Sequence, residues 1–187
     1  MTTATAQAFV GDLALRHLDA AYNLGRWLLG NEQDAADAVH DAYLRAARSA
    51  DTYAGGNARA WWLAIVRNCC LARLSARVRD QGNIAIDQNV ETADRWLPRS
   101  EASEVEDRVD NAQRQSLIVR QLRSLPTEFR EVLILREIEE LSYREIADVL
   151  QTPIGTVMSR LARGRALLQK ALAAHGVRAE VETPHGL

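Results

Sequence analysis

Apolar positions recur along most of the chain at the three- and four-residue spacing of amphipathic helices. This spacing predicts one helix over residues 13–29, a second over 34–49 and a third over 58–79. Gly30 follows the first helix, and a glycine-containing loop at residues 53–57 precedes the third. No stretch alternates apolar and polar residues for long, so the sequence predicts an all-α fold.

The most specific local pattern lies at residues 141–172. Ser142 followed by Glu145 is a capping box, which marks the start of a helix. Gln151 interrupts the apolar run, and a threonine–proline pair at residues 152–153 predicts an N-cap and a proline in the first turn of the next helix. Two helices joined by such a turn form a helix–turn–helix, whose second helix enters the major groove of DNA. The alternative is a helix–turn–helix that serves only as a packing unit.

Composition divides the chain into two helical blocks, residues 1–80 and 112–175. Between them, in residues 81–111, acidic residues outnumber arginines and the helical periodicity fades until near the end of the segment. Residues 176–187 have no clear period. We therefore expect two small helical domains joined by a flexible acidic linker and followed by a frayed tail.

Length and composition exclude several classes of protein. The 187 residues are enough for one domain or two small ones. Their formal net charge is −2, and their 47% hydrophobic content is enough to form a core. No apolar run approaches the ~20 residues of a membrane span, and the N-terminus lacks the pattern of a signal peptide. We therefore expect a cytoplasmic protein with no membrane insertion.

The residue pattern offers little for catalysis or metal binding. Cys69 and Cys70 are adjacent and the histidines are scattered, so no metal-ligand spacing arises. The sequence contains no glycine-rich phosphate loop and no serine in a nucleophile context. We expect no enzyme activity, no cofactor and no metal, and we interpret both cysteines as buried structural thiols. An enzyme or redox sensor built around the cysteine pair is the alternative, and no other residue supports it.

Positive charge is concentrated in two segments, residues 58–79 and 152–178, which contain arginines and no acidic residue. Basic segments attract phosphates locally, over roughly a Debye length of ~8–10 Å, whatever the net charge of the chain. The two segments therefore favour a nucleic-acid partner. Two solvated basic helix faces are the alternative.

The last predicted helix has two faces when successive residues are placed about 100° apart. One face is apolar and predicts core packing: Val157, Leu161, Gly164, Leu168 and Leu172. The opposite face is small, hydroxylic or basic: Met158, Ser159, Ala162, Arg163, Ala166 and Lys170, with Arg160 at its flank. Arginine can bind guanine through two hydrogen bonds, whereas serine and lysine more often contact phosphate. This second face is therefore the predicted DNA-contacting surface.

The third predicted helix is similar in character. Its predicted buried side consists of Trp62, Ile65, Val66, Cys69, Ala72 and Ala76. Its other side consists of Asn68, Leu71, Ser75 and Arg79, with Arg67 beside them. A basic helix with an amide and two tryptophans at its start could hold single-stranded nucleic acid by stacking. The alternative for the tryptophan pair is a place in the core.

The second predicted helix carries a stripe of carboxylates, because Asp34, Asp37 and Asp41 recur at spacings of three and four. Asp34 could simply cap the helix or favour its dipole. Asp41 lies too far into the helix for that role. The stripe therefore predicts a docking surface for a basic partner.

Taken in their order along the chain, these motifs resemble those of the extracytoplasmic-function sigma factors, the smallest promoter-recognition subunits of bacterial RNA polymerase. DAADAVHDAYLRA is similar to region 2.2, WWLAIVRNCCLARL is similar to regions 2.3 and 2.4, and LPTEFREVLILREIEELSYREIADVLQTPIGTVMSRLARGRALL is similar to region 4. The resemblance implies a factor that binds core RNA polymerase, at its β′ clamp helices and β flap, and directs initiation at promoters. It also implies an anti-sigma factor as a partner. The alternative is a stand-alone helix–turn–helix regulator that binds an operator.

The resemblance also assigns roles to individual residues. In region 4 it implies that Met158, Ser159, Ala162 and Arg163 read −35 duplex DNA, and the same helix face adds Arg160 and Lys170 to the predicted set. In region 2 it implies that Gly56, Asn57, Trp61 and Asn68 bind the opened −10 element, and the same helix face adds Arg67, Leu71 and Arg79. Within this set, the loop at residues 55–58 holds a flipped base and Asn68 recognises an unstacked one. Polymerase docking is implied for Asp37, His40 and Asp41, and the acidic linker would thread toward the polymerase active-site channel.

Overall fold

A computed structural model describes residues 3–81 and 105–175. These two ranges contain helices and turns but no strand, which confirms the predicted all-α fold. The helices of the N-terminal bundle are α1 (Thr3–Arg16), α2 (Leu18–Leu29), α3 (Glu32–Arg48) and α4 (Ala58–Gln81). Those of the C-terminal bundle are α5 (Val105–Ser124), α6 (Thr127–Leu133), α7 (Tyr143–Leu150) and α8 (Ile154–Ala173). A short 3₁₀ turn, Ala50–Thr52, precedes α4, and a π-helical turn, Ile134–Ile138, follows α6.

The single helix predicted over residues 13–29 is wrong, because the structure has two helices there. The first begins at Thr3, and His17 interrupts the path with non-helical backbone angles (φ −120°, ψ 27°). On either side of the break, α1 buries Val10 and α2 buries Leu24. The predicted end is correct: Gly30 adopts a left-handed conformation (φ 87°) and its N–H donates to the Arg26 carbonyl.

Asparagine side chains start two of the helices. The Asn31 carboxamide oxygen accepts a hydrogen bond from the Asp34 N–H at 2.8 Å, so α3 begins slightly before the predicted residue and Asp34 is not its cap. The Asn57 side chain does the same for α4, accepting from the Ala60 N–H at 2.9 Å. The predicted start of α4 at Ala58 is correct.

The core of the N-terminal bundle forms around α4. Trp62, Val66 and Cys69 are buried as predicted, but Ala72 is exposed. The buried stripe of α4 continues instead through Cys70 toward the arginines that reach α3, which leaves Ala72 on the solvent side. Ile65 and Ala76, also predicted to be buried, are half-buried.

The helix–turn–helix consists of α7 and α8. Both hydrogen bonds of the Ser142–Glu145 capping box are present, and Gln151 ends α7 in the left-handed conformation (φ 53°). The predicted N-cap role of Thr152 is wrong, because the residue before α8 is Pro153 and the Thr152 hydroxyl lies buried without a hydrogen-bond partner. The predicted apolar face of α8 packs into the core as expected, with Leu168 half-buried and the others buried.

The two bundles pack against each other, with α4 on α7 and α2 on α6 and the π-helical turn. Their buried apolar residues form one continuous cluster. The segment predicted as a linker, residues 81–111, overlaps α5, which already begins at Val105. The rest of that segment from residue 82, and the predicted tail at 176–187, lie outside the described residues.

Candidate nucleic-acid interface

One face of α8 carries most of the residues predicted to contact −35 DNA. Met158, Ser159, Ala162, Arg163 and Lys170 are all exposed, and the Met158 side chain is 53% exposed. The Ser159 hydroxyl donates to the Thr156 carbonyl at 3.0 Å, which leaves its oxygen able to accept a further hydrogen bond. The structure therefore brings these five residues together on a surface of small and basic side chains.

Arg160, from the same predicted set, points elsewhere. Its guanidinium lies 3.5 Å from the Glu128 carboxylate and 3.6 Å from that of Glu131, and its side chain is only 24% exposed. Both carboxylates belong to α6, so the Arg160 side chain packs over that helix. Arg160 therefore does not belong to the exposed face of α8 that carries the other five predicted residues.

A second surface lies along α4. At about 100° per residue, Trp61, Asn68 and Arg79 fall within about 20° of one line along the helix. Asn68 and Arg79 are exposed, and Leu71 is half-buried at the flank of this line. An amide at the middle of an accessible stripe can donate to one base atom and accept from another. This stripe is the part of α4 suited to contact an opened strand.

The loop before α4 adds aromatic surface to this stripe. Gly55 and Gly56 both have φ of 93°, and the Tyr53 hydroxyl donates to the Gly56 carbonyl at 2.7 Å. The Tyr53 ring lies between those of Phe9 (5.2 Å between centroids) and Trp61 (5.5 Å). Both interpretations of Trp61, as a core residue and as a stacking surface, are therefore compatible with the structure. The side chain is half-buried against the core and still borders the loop. Phe9 and Tyr53 were not among the predicted residues, although a tyrosine beside a glycine pair was a usable signal.

Two other residues predicted to contact the −10 element form hydrogen bonds with acidic residues of the C-terminal bundle. The Asn57 amide donates to the Glu145 carboxylate at 2.8 Å. Arg67 makes two hydrogen bonds to Glu131, at 2.7 Å from Nε and 3.0 Å from Nη2. Glu131 is 1% exposed and was not predicted as functional, although its place in an apolar helical stripe with Leu135 indicates burial.

The predicted docking residues lie on α3 and share a basic neighbour on α4. Arg73 contacts Asp41 at 2.6 Å and Asp37 at 3.8 Å, and Arg77 forms an ion pair with Asp34. The carboxylate stripe therefore holds α3 to α4, a role that the sequence analysis missed. Asp37 and Asp41 still have side chains 48% and 45% exposed, and His40 is exposed between them. His40 also borders an apolar cleft of about 550 Å³ lined by Leu15, Leu18, Tyr22, Tyr43 and Trp62.

The two cysteines lie in the core of the N-terminal bundle. Burial raises the pKa of the Cys70 thiol to about 12, and burial also raises the pKa of Cys69. Because the thiolate is the reactive form, both thiols are poor nucleophiles in the folded protein. This environment agrees with structural thiols and gives no support to a redox sensor.

Searches of residues 3–81 and 105–175 found no group of three or more histidine, cysteine, aspartate or glutamate side chains arranged to hold a metal ion. Within the same ranges, none of the helices is both long and apolar enough to cross a membrane.

Two family models match the chain, one in each bundle. The model for sigma-70 region 2 matches residues 13–80, and the model for sigma-70 region 4 matches residues 115–168. Together these matches cover more than half of the chain.

Relatives with assigned names agree with these matches. The chain is 35% identical to the ECF RNA polymerase sigma factor SigE of Mycolicibacterium smegmatis over 88% of its own length, and it spans 62% of that protein. It is 31% identical to the ECF RNA polymerase sigma factor SigW of Bacillus subtilis, over 86% of its own length and 87% of that protein.

Two solved structures are similar to this one along most of the chain. The sigma factor RpoE of Bartonella quintana, solved with the anti-sigma factor NepR, gives a TM-score of 0.65 at 25% identity, covering 86% of this chain and 94% of RpoE. CnrH, solved with the cytosolic domain of CnrY, gives a TM-score of 0.58 at 25% identity, covering 92% of this chain and 95% of CnrH. The family models, the relatives and the fold agree with the predicted resemblance, and the chain belongs to the extracytoplasmic-function (ECF) RNA polymerase sigma factors.

Proposed function

We propose that the chain joins core RNA polymerase and directs initiation by reading a −35 duplex with α8 and an opened −10 strand with α4. The observation that carries the proposal is the pair of exposed surfaces, one centred on Arg163 and one on Asn68, each within the matching sigma-70 region. The protein acts by binding, not by catalysing a reaction. We place it in the bacterial cytoplasm, where core polymerase and promoter DNA meet.

The α8 surface suits duplex DNA. Ala162 and Ser159 are small enough for the helix backbone to approach the base edges, and Arg163 can reach a guanine with two donors. Met158 offers apolar contact, which suits a thymine methyl group. Lys170, near the end of the helix, is placed to attract a phosphate. Arg160 would add to this set only after leaving its carboxylate partners on α6.

The α4 surface suits a single strand. Trp61 and Tyr53 offer ring faces beside a glycine loop, and base stacking on such rings is worth about 1–3 kcal/mol per base. Asn68 lies along the same line and supplies the amide that distinguishes one base edge from another. We assign Gly56, Leu71 and Arg79 to the walls of this site.

For docking, we propose that Asp37, His40 and Asp41 contact the β′ clamp helices of polymerase, and that the C-terminal bundle contacts the β flap. The half-exposed carboxylates support this, because Arg73 neutralises them only in part. We assign residues 1–80 to region 2, 81–111 to the acidic linker, 112–175 to region 4 and 176–187 to a tail. An anti-sigma factor is the proposed inhibitor, since the similar sigma factor RpoE was solved together with one.

A stand-alone helix–turn–helix regulator is not favoured, because a family model for region 2 also matches the N-terminal bundle. Reconstituted transcription separates the two functions. Purified protein together with core polymerase should initiate from the DNA upstream of its own gene, and neither component alone should do so. An Arg163→Ala variant serves as the matched control for specific reading. Tight binding to duplex DNA without polymerase, combined with no initiation, would refute the sigma function.

A further inference from the structure

We propose that the Tyr53 hydroxyl reads one base of the opened −10 strand and selects a base that carries an exocyclic amino group, with Phe9 as the residue that positions the tyrosine ring. Neither residue was among those predicted for the −10 site. The inference rests on the proposed function and makes it more specific, because it names the group that reads a base at the glycine loop, residues 55–58.

The Tyr53 hydroxyl has its only hydrogen committed within this loop. It donates to the Gly56 carbonyl at 2.7 Å, a typical distance for a hydrogen bond between two oxygen atoms. A hydroxyl carries one hydrogen and two acceptor lone pairs, so the committed oxygen of Tyr53 can accept a further hydrogen bond but cannot donate one. The group therefore favours a base that presents a donor.

The exocyclic amino group is the donor that projects furthest from a base ring. Adenine, cytosine and guanine each carry one, whereas thymine carries carbonyl oxygens and a methyl group in the corresponding places. A base edge that meets the Tyr53 oxygen with a carbonyl instead leaves two acceptors facing each other. The committed hydroxyl therefore discriminates between amino-bearing bases and thymine.

Two neighbouring rings hold the tyrosine in place. The Tyr53 ring is stacked on that of Phe9, with 5.2 Å between centroids and 24° between planes, and it is tilted by 53° to the Trp61 ring at 5.5 Å. Both distances lie within the range of about 4.5–7 Å that aromatic pairs prefer. Phe9 belongs to α1 and precedes residues 13–80, which the region 2 model matches. A part of the chain outside that match therefore orients the hydroxyl before any base arrives.

The loop also leaves room for a base. A Cβ built on Gly55 or Gly56 would meet no atom within 4 Å other than those of its chain neighbours, in the part of the chain that the structure describes. The far end of the loop is fixed, because Asn57 accepts from the Ala60 N–H through its side chain and from the Trp61 N–H through its carbonyl. A base can therefore approach the loop backbone while both ends of the loop stay in place.

Tyr53→Phe tests the proposal, because it removes the hydroxyl and keeps the ring. Wild type and variant are each assembled with core polymerase and bound to forked DNA whose −10 strand is single-stranded. At each position of that strand, the base is replaced by an analogue that lacks only the amino group: purine for adenine, hypoxanthine for guanine and 2-pyrimidinone for cytosine. Competition binding measures the affinity for each strand.

We expect the wild-type complex to lose about 2- to 10-fold in affinity when the amino group is removed at one position, which is the range of one hydrogen bond. The Tyr53→Phe complex should bind the natural strand more weakly by about the same factor and should not respond to the analogue at that position. Tyr22→Phe is the matched control, since it removes a tyrosine hydroxyl from α2, and it should respond as wild type does. A Tyr53→Phe complex that responds to the analogues as strongly as wild type would overturn the proposal.

Phe9→Leu tests the positioning separately, because it leaves the Tyr53 hydroxyl in the chain and removes the ring stacked on it. The response to the analogue should fall to less than about half that of wild type, while the melting temperature measured by circular dichroism shows whether the variant folds. A full response in a folded Phe9→Leu variant would overturn the role of Phe9.

The analogue series on wild type alone decides the central point, even if Tyr53→Phe does not fold. A wild-type complex that binds the single-stranded −10 element but responds to none of the analogues overturns this inference and leaves the proposed function intact. A wild-type complex that shows no affinity for the opened strand of any sequence is instead a failure of the proposed function.

Discussion

The Asn57 amide donates a 2.8 Å hydrogen bond to the Glu145 carboxylate, which joins the residue that caps α4 to the residue that completes the capping box of α7. Each side chain therefore has two functions, one inside its own bundle and one between bundles. Helix starts are positions where polar side chains are fixed in direction, so a contact between two of them is well oriented. The start of the helix–turn–helix and the start of α4 are held together in this way.

We expect the Glu145 carboxylate, held mainly by its capping box with Ser142, to appear in the pH dependence of stability. Hydrogen bonds, first from the Ser142 backbone N–H, hold the pKa of Glu145 below its usual value. The resulting stabilisation is present above the unfolded pKa, near ~4.3, and is lost as the pH falls through the lower folded pKa. Gln can still accept the hydrogen bond of the capping box but lacks the charge that favours a helix N-terminus, so Glu145→Gln should lower the free energy of unfolding at pH 7 by about 0.3–1 kcal/mol.

The deficit of Glu145→Gln relative to wild type should shrink as the pH falls below about 4, because wild type then loses the same carboxylate. Urea unfolding followed by circular dichroism at several pH values measures this. Asp148→Asn, which removes a charge from the exposed side of the same helix, is the control. A deficit that stays constant down to the acid end of the range would contradict the assignment.

Arg163→Ala tests base reading by α8. We expect the polymerase complex to lose about 1–3 kcal/mol of affinity for its −35 duplex, and to lose discrimination at one base pair, because a bidentate contact disappears. Lys170→Ala should instead weaken all sequences equally and reduce the salt dependence by about one counterion. Competition binding with single-base variants of the duplex distinguishes the two effects. Equal weakening of every sequence by Arg163→Ala would reassign it to phosphate.

Asn68→Ala tests strand recognition by α4. The side chain is exposed, so the change should leave the fold and the assembly with polymerase intact. Promoter opening should weaken by about 1–3 kcal/mol, the range of one base-specific contact. Fluorescence of 2-aminopurine in the −10 element reports opening, and gel filtration with core polymerase reports assembly. Ser75→Ala, two turns further along the same helix, is the control, and equal loss of opening and assembly would indicate a folding role for Asn68.

Gly164→Ala should destabilise the C-terminal bundle. A Cβ added at Gly164 would lie 3.2 Å from the Leu133 Cδ1 and 3.4 Å from the Phe129 Cβ, so the Leu133 side chain or α6 itself would have to shift by a few tenths of an ångström. We expect a cost of about 1–3 kcal/mol in thermal unfolding. Gly155, also in α8, has open space at the same position, and Gly155→Ala should leave stability unchanged or raise it by up to about 1 kcal/mol. Equal melting temperatures for both variants would show that α6 can yield.

The sequence predicted the features that depend on neighbouring residues. Gly30 ends α2 and the Ser142–Glu145 pair starts α7, because each signal acts within about one helical turn. The faces of α8 followed from periodicity for the same reason. His17 is different: its backbone leaves the helical path although no proline or glycine lies beside it in the sequence to predict the break.

The contacts of the charged residues could not be predicted from the sequence. Arg67 pairs with Glu131, 64 positions away, and Arg73 pairs with Asp41, 32 positions away. Such pairs depend on how helices cross, and nothing in either segment specifies the partner. The basic character of α4 was evident, but much of that charge is neutralised by acids elsewhere in the chain. For the candidate site, the sequence therefore indicated which residues lie on each helix. It did not indicate which of them already form ion pairs or hydrogen bonds with other residues of the chain.

The ion pairs between α3 and α4 have a mechanical consequence for promoter opening. Asp34 with Arg77, and Asp41 with Arg73, tie the proposed docking helix to the helix that carries Asn68 at two points along its length. Because the two ion pairs lie at different points along the helices, they oppose rotation of α3 relative to α4 as well as sliding of one helix along the other. In the proposed complex, a rotation that the polymerase clamp imposes on α3 therefore also rotates α4. The −10 bases bound to α4 move with it.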